Sequence, residues 1–267
     1  MTFALRRVPR QSVEPEWMDA PGHPREVVDQ NLGDLRRCNR LLGGVRLTLR
    51  PLAWLLAGTD PRPALRVLDV ATGGGDIPRA VARWARRRRP VFLVASDVSA
   101  QFVALAREQS GEYPEIRFVV ADARSLPFAA GAFHAATCSL ALHHMLRDEA
   151  RAMLSEMGRC ARTGVVVNDI VRGWLGYLGA FVATRLGSRN ALTWHDGPLS
   201  VLRAYTKEEM RDLAGWAGLH PIRWDGFLGY RVAFAAIALP RPLPGAAAPP
   251  ADPAAPAPEG DRTWTPR

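Results

Sequence analysis

Lysine is almost missing from this sequence. Of its 35 basic residues only Lys207 is a lysine; the rest are arginine, set against 26 acidic residues for a formal net charge of +9. Such an excess is compatible with nucleic acid or an anionic membrane as partner. The arginine bias, together with abundant alanine and proline, instead reads as a compositional habit of the source genome. The densest cluster, Arg86-Arg87-Arg88-Arg89, falls where a helix is expected to end, and cations are favourable there. It is therefore taken as a solvated helix end, with an RNA or membrane contact as the alternative. Cysteine is scarce too. Cys38, Cys138 and Cys160 are odd in number and widely spaced, and no two have metal-ligand spacing. No metal is expected, and the usage suits a reducing cytoplasm. Long apolar runs are also lacking. The first 25 residues mix Arg, Glu, Pro and Asp, which argues against a signal peptide. The stretch from Gly164 to Ala183 is interrupted by Asn168, Asp169 and Arg172, so no membrane span is expected.

What is there is an alternating pattern. A chain of 267 residues with 48% hydrophobic residues holds one α/β domain with additions. Residues 26 to 57 carry helical periodicity broken at Gly43-Gly44. Short apolar runs at Leu65 to Val70, Val91 to Ala95, Ile116 to Val120, Phe133 to Leu140 and Val165 to Ile170 read as strands, with helices between them. Residues 172 to 186 are expected to be helical. Thr206-Lys207-Glu208-Glu209 is a capping box that opens another helix. Strands near 219 to 224 and 230 to 238 close the domain. This order predicts a mainly parallel sheet covered by helices on both faces. Residues 1–24 read as an irregular arm, and the proline- and alanine-rich tail, 240–267, as disordered.

The first strand runs straight into Ala71-Thr72-Gly73-Gly74-Gly75-Asp76 and then a helix. A small-residue turn at the carboxyl end of a strand lets a ligand approach the backbone closely. Glycine turns are common, so the loop alone decides little. Asp97 ends the second strand, 22 residues beyond Gly75. That is the spacing at which a carboxylate takes the ribose hydroxyls in dinucleotide folds. Asp122-Ala123 ends the third strand, where a side chain and a backbone N–H can read an adenine edge. Asp69 and Asp76 flank the loop. They would repel a pyrophosphate but suit a sulfonium bearing an ammonium group, which favours S-adenosylmethionine (SAM) over NAD. Each aspartate by itself is an ordinary cap or turn residue; their recurrence at consecutive strand ends makes that reading poor.

Val67-Leu68-Asp69-Val70-Ala71-Thr72-Gly73-Gly74-Gly75-Asp76 resembles motif I of the class I SAM-dependent methyltransferases. Ala71 in place of the first glycine, and the trailing Asp76, look like the quinone C-methyltransferase (UbiE/COQ5) branch. Ser96-Asp97-Val98-Ser99, Ala121-Asp122-Ala123 with Leu126-Pro127-Phe128, and Leu140-Ala141-Leu142-His143-His144 are similar to its later motifs. The resemblance covers roughly residues 26 to 238. It implies a Rossmann-like seven-stranded sheet of order 3-2-1-4-5-7-6 with strand seven antiparallel. It also implies a SAM-dependent methyltransferase domain over 25–239: a helical lid at 25–58 and a core at 65–239 with a substrate insertion at about 172–205. Residues implied at the cofactor are Asn39, Asp69, Ala71, Thr72, Gly73, Gly75, Asp76, Asp97, Val98, Asp122, Ala123 and Leu140. The sequence departs from the quinone enzymes at Val167-Asn168-Asp169-Ile170-Val171-Arg172, at Arg162-Thr163-Gly164 where Pro-Gly-Gly is usual, and at His134 where an Asp is common. These departures bear on the acceptor and not on SAM.

An acceptor hydroxyl or phenol would profit from a general base, and imidazole suits that task. His195, in Trp194-His195-Asp196-Gly197-Pro198, and His143 are the catalytic candidates. Asp-Gly-Pro reads equally as a plain turn. His144, Trp194, Arg203 and Tyr205 are candidates for the acceptor pocket, with Trp54, Trp174 and Tyr177 as an aromatic wall. The expected activity is O- or C-methylation of a phenolic, polyketide-like or quinone-like small molecule by a cytoplasmic monomer or homodimer. The competing readings are an RNA or protein methyltransferase, against which no Asn-Pro-Pro-Tyr type motif follows the fourth strand, and a non-catalytic partner protein on the SAM fold.

Overall fold

The computed structural model describes residues 8–238, so the tail expected over 240–267 lies outside the described residues. Seven strands form one sheet: β1 (Leu65–Val70), β2 (Val91–Asp97), β3 (Ile116–Val120), β4 (Phe133–Ser139), β5 (Ala161–Ile170), β6 (Leu219–Phe227) and β7 (Arg231–Ala238). Their spatial order is β3-β2-β1-β4-β5-β7-β6. β1 to β5 run parallel, and β7 runs antiparallel to both β5 and β6. The parallel strands have no solvated face, which is why β1 and β4 read as continuous apolar runs and not as alternation. β5 begins four residues before the expected Val165. Gly164 makes the extension possible: its φ is +153°, and a Cβ there would lie 2.4 Å from the Ala236 carbonyl oxygen.

One face of the sheet is covered by α2 (Gly44–Leu55), α3 (Asp76–Arg86) and α4 (Ala100–Glu108), whose apolar residues Leu52, Leu55, Val81 and Val103 share a core with Val67 and Leu93. The other face carries α5 (Arg147–Cys160) and α8 (Lys207–Trp216), with Met153, Leu154, Leu213 and Phe234 at its centre. Helix ends follow the chemistry of the sequence. The Ser99 hydroxyl caps α4 at the Phe102 N–H, and Thr206 with Glu209 forms the expected capping box on α8. The Arg86–Arg89 cluster does lie at the end of α3. Arg86 pairs there with Glu115, and Arg89 donates to the Thr59 hydroxyl and the Pro63 carbonyl.

Two expectations need correction. The lid over 25–58 divides in two at Gly43, whose φ is +82°. Only α1 (Arg25–Leu41) covers the glycine loop; α2 belongs to the layer beneath the sheet, because its stripe of Leu47, Pro51, Leu52 and Leu55 is buried against the strands. Trp194-His195-Asp196-Gly197-Pro198 is neither loop nor turn. It lies inside α7 (Ala191–Arg203), which forms a hairpin with α6 (Trp174–Gly187) over the insertion region. Asn190 caps α7 at the Leu192 N–H, and Gly197 is needed where α7 crosses α6, since a Cβ there would stand 2.4 Å from Thr184 Cγ2. The described part of the N-terminal arm holds one 3₁₀ turn, Trp17–Asp19, and packs against α7.

Candidate active site

The site is built at the carboxyl edge of the sheet. The chain leaves β1 through Ala71 at φ +53° and leaves β4 through Leu140 at φ +56°. Two non-glycine residues in the left-handed region at adjacent strand ends mark backbone held for a purpose. Between them the glycine loop turns through Gly73 (φ +51°) and Gly75 (φ +71°) into α3. Leu32 of α1 lies over the loop, and a Cβ on Gly74 would come within 3.3 Å of it.

Asp69 is fully enclosed. Its carboxylate accepts from the Thr72 hydroxyl at 2.7 Å and the Thr137 hydroxyl at 2.6 Å, and burial pushes its pKa up to about 7. Asp97 binds the loop to its own strand end: Oδ2 accepts from the Gly73 N–H at 2.8 Å and Oδ1 from the Ser99 N–H at 3.0 Å. Burial raises its pKa as well. One lone pair on each oxygen stays free, which leaves room for two hydroxyl donors. Asp76 opens α3 and accepts from Asn39 Nδ2 at 3.0 Å. Asn39 Oδ1 in turn accepts from Arg231 Nη2 at 2.7 Å.

Arg231 and Asn168 are functional candidates that the sequence reading missed. Arg231 is almost wholly buried at the start of β7, where Nε donates to Asn168 Oδ1 at 2.8 Å and Nη2 also reaches the Ser139 hydroxyl at 3.2 Å. Its Nη1 is buried with no hydrogen-bond partner among the described residues. That atom lies against Gly44 at the start of α2, and the guanidinium reaches the glycine loop through Asn39 and Asp76; a buried donor left over is free to take an anionic group. No sequence motif announces it, because it is brought in by an antiparallel strand from the far end of the chain.

The other predicted residues distribute unevenly. Asp122 is half exposed and chelated by Arg124, which holds its pKa below the usual carboxylate range. Ala123 is buried beside it, and Val98 is exposed at the end of β2. His143 and His144 form a 3₁₀ turn after β4 with their rings 4.4 Å apart. His143 Nδ1 lies 2.6 Å from Asp169 Oδ1, and His144 Nδ1 lies 2.9 Å from Asp19. Burial would lower the His144 pKa, but Glu16 and Asp19 outweigh it and raise it to about 9. Burial likewise works against ionisation of Asp169, and His143 overrides it.

His195 stacks face to face on Trp17 at 3.8 Å, with Nδ1 held 2.7 Å from Asp196. Asp196 also accepts from the Trp17 and Met18 N–H groups, so this cluster anchors the arm. Tyr205, expected to face the pocket, is in the core; its hydroxyl donates to the Met145 carbonyl and burial lifts its pKa to about 12. Arg203 is buried and donates to the carbonyls of His143, His144 and Glu14. Trp194 donates to the Ser188 carbonyl from the surface of α7. Sequence distance hid the arm: nothing around Glu16 and Asp19 marks them as partners for histidines over a hundred residues away.

Comparison with known proteins agrees with this construction. Residues 67–164 match a family described as a methyltransferase domain. The demethylmenaquinone methyltransferase of Beutenbergia cavernae is 33% identical over 180 residues, covering 64% of this chain and 69% of that protein. A ubiquinone/menaquinone biosynthesis C-methyltransferase UbiE from Burkholderia vietnamiensis is 30% identical over 125 residues, with 46% and 50% of the two chains aligned. The chain thus spans about two thirds of the first relative and half of the second. Among solved structures, a SAM-dependent methyltransferase from Aquifex aeolicus superposes with a TM-score of 0.55 at 17% identity, over 78% of this chain and 97% of that one. The magnesium protoporphyrin IX methyltransferase of Synechocystis PCC 6803 with bound SAH gives 0.51 at 19% identity, over 83% and 91%. Those two establish the fold. The fold and the loop define a class I SAM-dependent methyltransferase. Within that class the chain belongs to the UbiE-like branch.

Proposed function

We propose that the chain transfers the methyl group of SAM to a small molecule, at an acidic hydroxyl oxygen or an activated carbon of a phenolic, polyketide-like or quinone-like acceptor. The observation that carries this is the polar cluster at the carboxyl ends of β4 and β5, where buried His143 and half-buried His144 lie between Asp169 and the arm. The names of the relatives, which concern quinone biosynthesis, point the same way. SAM supplies an electrophilic methyl on a sulfonium; the chain supplies alignment, exclusion of water and a destination for the acceptor's proton.

In this reading the free lone pairs of Asp97 take the two ribose hydroxyls, and the loop from Ala71 through Thr72, Gly73 and Gly75 carries the methionyl portion. Asp76 favours its positive charges, and Asp69 adds to this in its ionised form, which a bound cation stabilises. Arg231 Nη1, steadied by Asn39, receives its carboxylate. The Ala123 N–H reads the adenine edge, with Asp122 released from Arg124 on binding, and Val98 and Leu140 wall the nucleoside. His143 and His144 face the acceptor, while His195 and Arg203 hold the arm that closes over it. Nucleic acid is not the acceptor in this reading; Arg86 and Arg89 of the arginine cluster are engaged by Glu115, Thr59 and Pro63. The three free cysteines fit a reducing cytoplasm, where the chain would act as a monomer or homodimer. Calorimetric titration with SAM, followed by turnover on a panel of naphthols, hydroxyquinones and RNA, tests the proposal. Binding with transfer to a small phenol or quinone is expected; transfer to RNA alone would overturn it.

A further inference from the structure

We propose that Glu16, His143 and His144 form a binding site for a divalent transition-metal cation, with the Glu16 carboxylate and the two imidazole Nε2 atoms as ligands. The inference rests on the preceding reading only in giving the remaining coordination position to an acidic oxygen of the acceptor; the ion site stands without it.

Glu16 and His143 are buried to 3% and 4% exposure, and His144 lies beside them, half-buried. One ligand atom from each of the three lies within 4.8 Å of the others. His143 Nε2 is 3.6 Å from Glu16 Oε1, and His144 Nε2 is 3.7 Å from Glu16 Oε2. These separations are too long for hydrogen bonds, which close to about 3 Å. They are close to the edge of a tetrahedron around an ion bonded at about 2.1 Å, roughly 3.4 Å.

The surroundings are those of metal ligands. Each histidine offers its Nδ1 to a carboxylate, His143 to Asp169 and His144 to Asp19. That partnership keeps a proton on Nδ1, so an ion entering the cluster would displace the proton on Nε2 and bind there, as in carboxylate–histidine–metal triads. Glu16 Oε1 accepts from the Ser200 hydroxyl at 2.8 Å, which fixes the third ligand. Arg203 holds all three segments: Nε and Nη2 take the His143 and His144 carbonyls at 3.1 and 2.7 Å, and Nη1 takes the Glu14 carbonyl. Its charge faces Glu16 from 3.8 Å. Glu16, Asp19 and Asp169 gather three carboxylates about the two imidazoles, a concentration of negative charge that suits a cation.

Two imidazoles and one carboxylate select zinc, cobalt, iron or manganese over magnesium and calcium, which prefer all-oxygen shells. Three protein ligands leave a coordination position open, as in catalytic sites. A phenol or enol oxygen bound there would lose its proton to water more readily, just as metal-bound water does. The histidines would then act by holding the ion.

The full-length chain, freed of metal with a chelator and dialysed, should be titrated with Zn2+ by calorimetry and with Co2+ by visible absorption. One equivalent should bind, with Co2+ giving the d–d bands of a nitrogen–oxygen site. Glu16→Gln and His144→Ala should each weaken binding at least tenfold, whereas His220→Ala, on exposed β6, should not. SAM affinity measured on the same preparations reports folding; should either variant lose it, the Co2+ spectrum of the unaltered chain decides. No saturable binding of either ion to that chain, or binding that survives both substitutions, overturns the proposal. Ion binding without methylation of any acceptor would leave this site standing and remove the acceptor reading.

Discussion

Asp97→Asn separates two tasks that one carboxylate performs. In the folded chain its oxygens satisfy two backbone donors, Gly73 N–H and Ser99 N–H, at 2.8 and 3.0 Å. An amide has one acceptor oxygen and an NH2 group, so one of those donors must face another donor. A buried donor left unpaired costs about 1–3 kcal/mol. Part of this loss is offset because the buried carboxylate itself is disfavoured as an anion, as its raised pKa records. The net fall in stability is therefore expected near the lower end, about 1 kcal/mol. SAM binding should suffer more. The ribose hydroxyls would lose at least one charge-assisted bond of about 1.5–3 kcal/mol, a tenfold to hundredfold weaker Kd. Asp122→Asn is the contrast, since Asp122 is half exposed and already held by Arg124; its effect should stay within about fivefold, under 1 kcal/mol. Urea unfolding gives the first quantity and calorimetry with SAM the second. An Asp97→Asn chain that binds SAM normally, or an Asp122→Asn chain that loses more affinity, would refute the assignment of the ribose to Asp97.

Asp69 stays protonated in the folded chain up to about pH 7, whereas an unfolded chain releases that proton near pH 4. Its contribution to stability is thus fully present below pH 4 and is lost as pH rises to about 7, by at most about 4 kcal/mol. Asp69→Asn should gain on the wild type in urea unfolding at pH 8 relative to pH 5, and an equal difference at both pH values would reject the shift. Gly164→Ala should destabilise the fold by about 2–3 kcal/mol, because the new methyl meets the fixed Ala236 carbonyl; a midpoint of thermal unfolding equal to that of the wild type would contradict this. Asp196→Ala removes the acceptor for the Trp17 and Met18 N–H groups and the partner of His195. Chymotryptic cleavage at Trp17 should accelerate and Co2+ affinity should fall, although no proposed ligand is altered. Cleavage at the wild-type rate would show that the arm is held elsewhere.

Much of the fold was legible because it rests on local rules. Strands buried on both faces read as apolar runs, and Ser99 and Thr206 announce their helices by capping chemistry. Asp97 could be found because a parallel sheet puts successive strand ends on one edge, so residues spaced along the chain arrive side by side. The helix through Trp194–Pro198 was not legible. Asp-Gly-Pro has every local preference for a turn, and the helix persists because Asn190 caps it, Gly197 lets it cross α6 and Asp196 is engaged by the arm. Tyr205 likewise looks like a pocket residue by position, yet burial of its ring and the Met145 carbonyl assign it to the core.

By itself the sequence determined the parallel sheet, the glycine loop and the aspartates that point to SAM, since each depends on neighbours in the chain or on strand order. Only the tertiary structure decided what faces them. Arg231 reaches Asn39 and Asn168 because β7 runs antiparallel into the sheet from near the end of the domain. Glu16 and Asp19 reach His144 because the arm is clamped by α7. Contacts between segments so far apart leave no spacing to read; they exist only when the packed elements fix both partners in place.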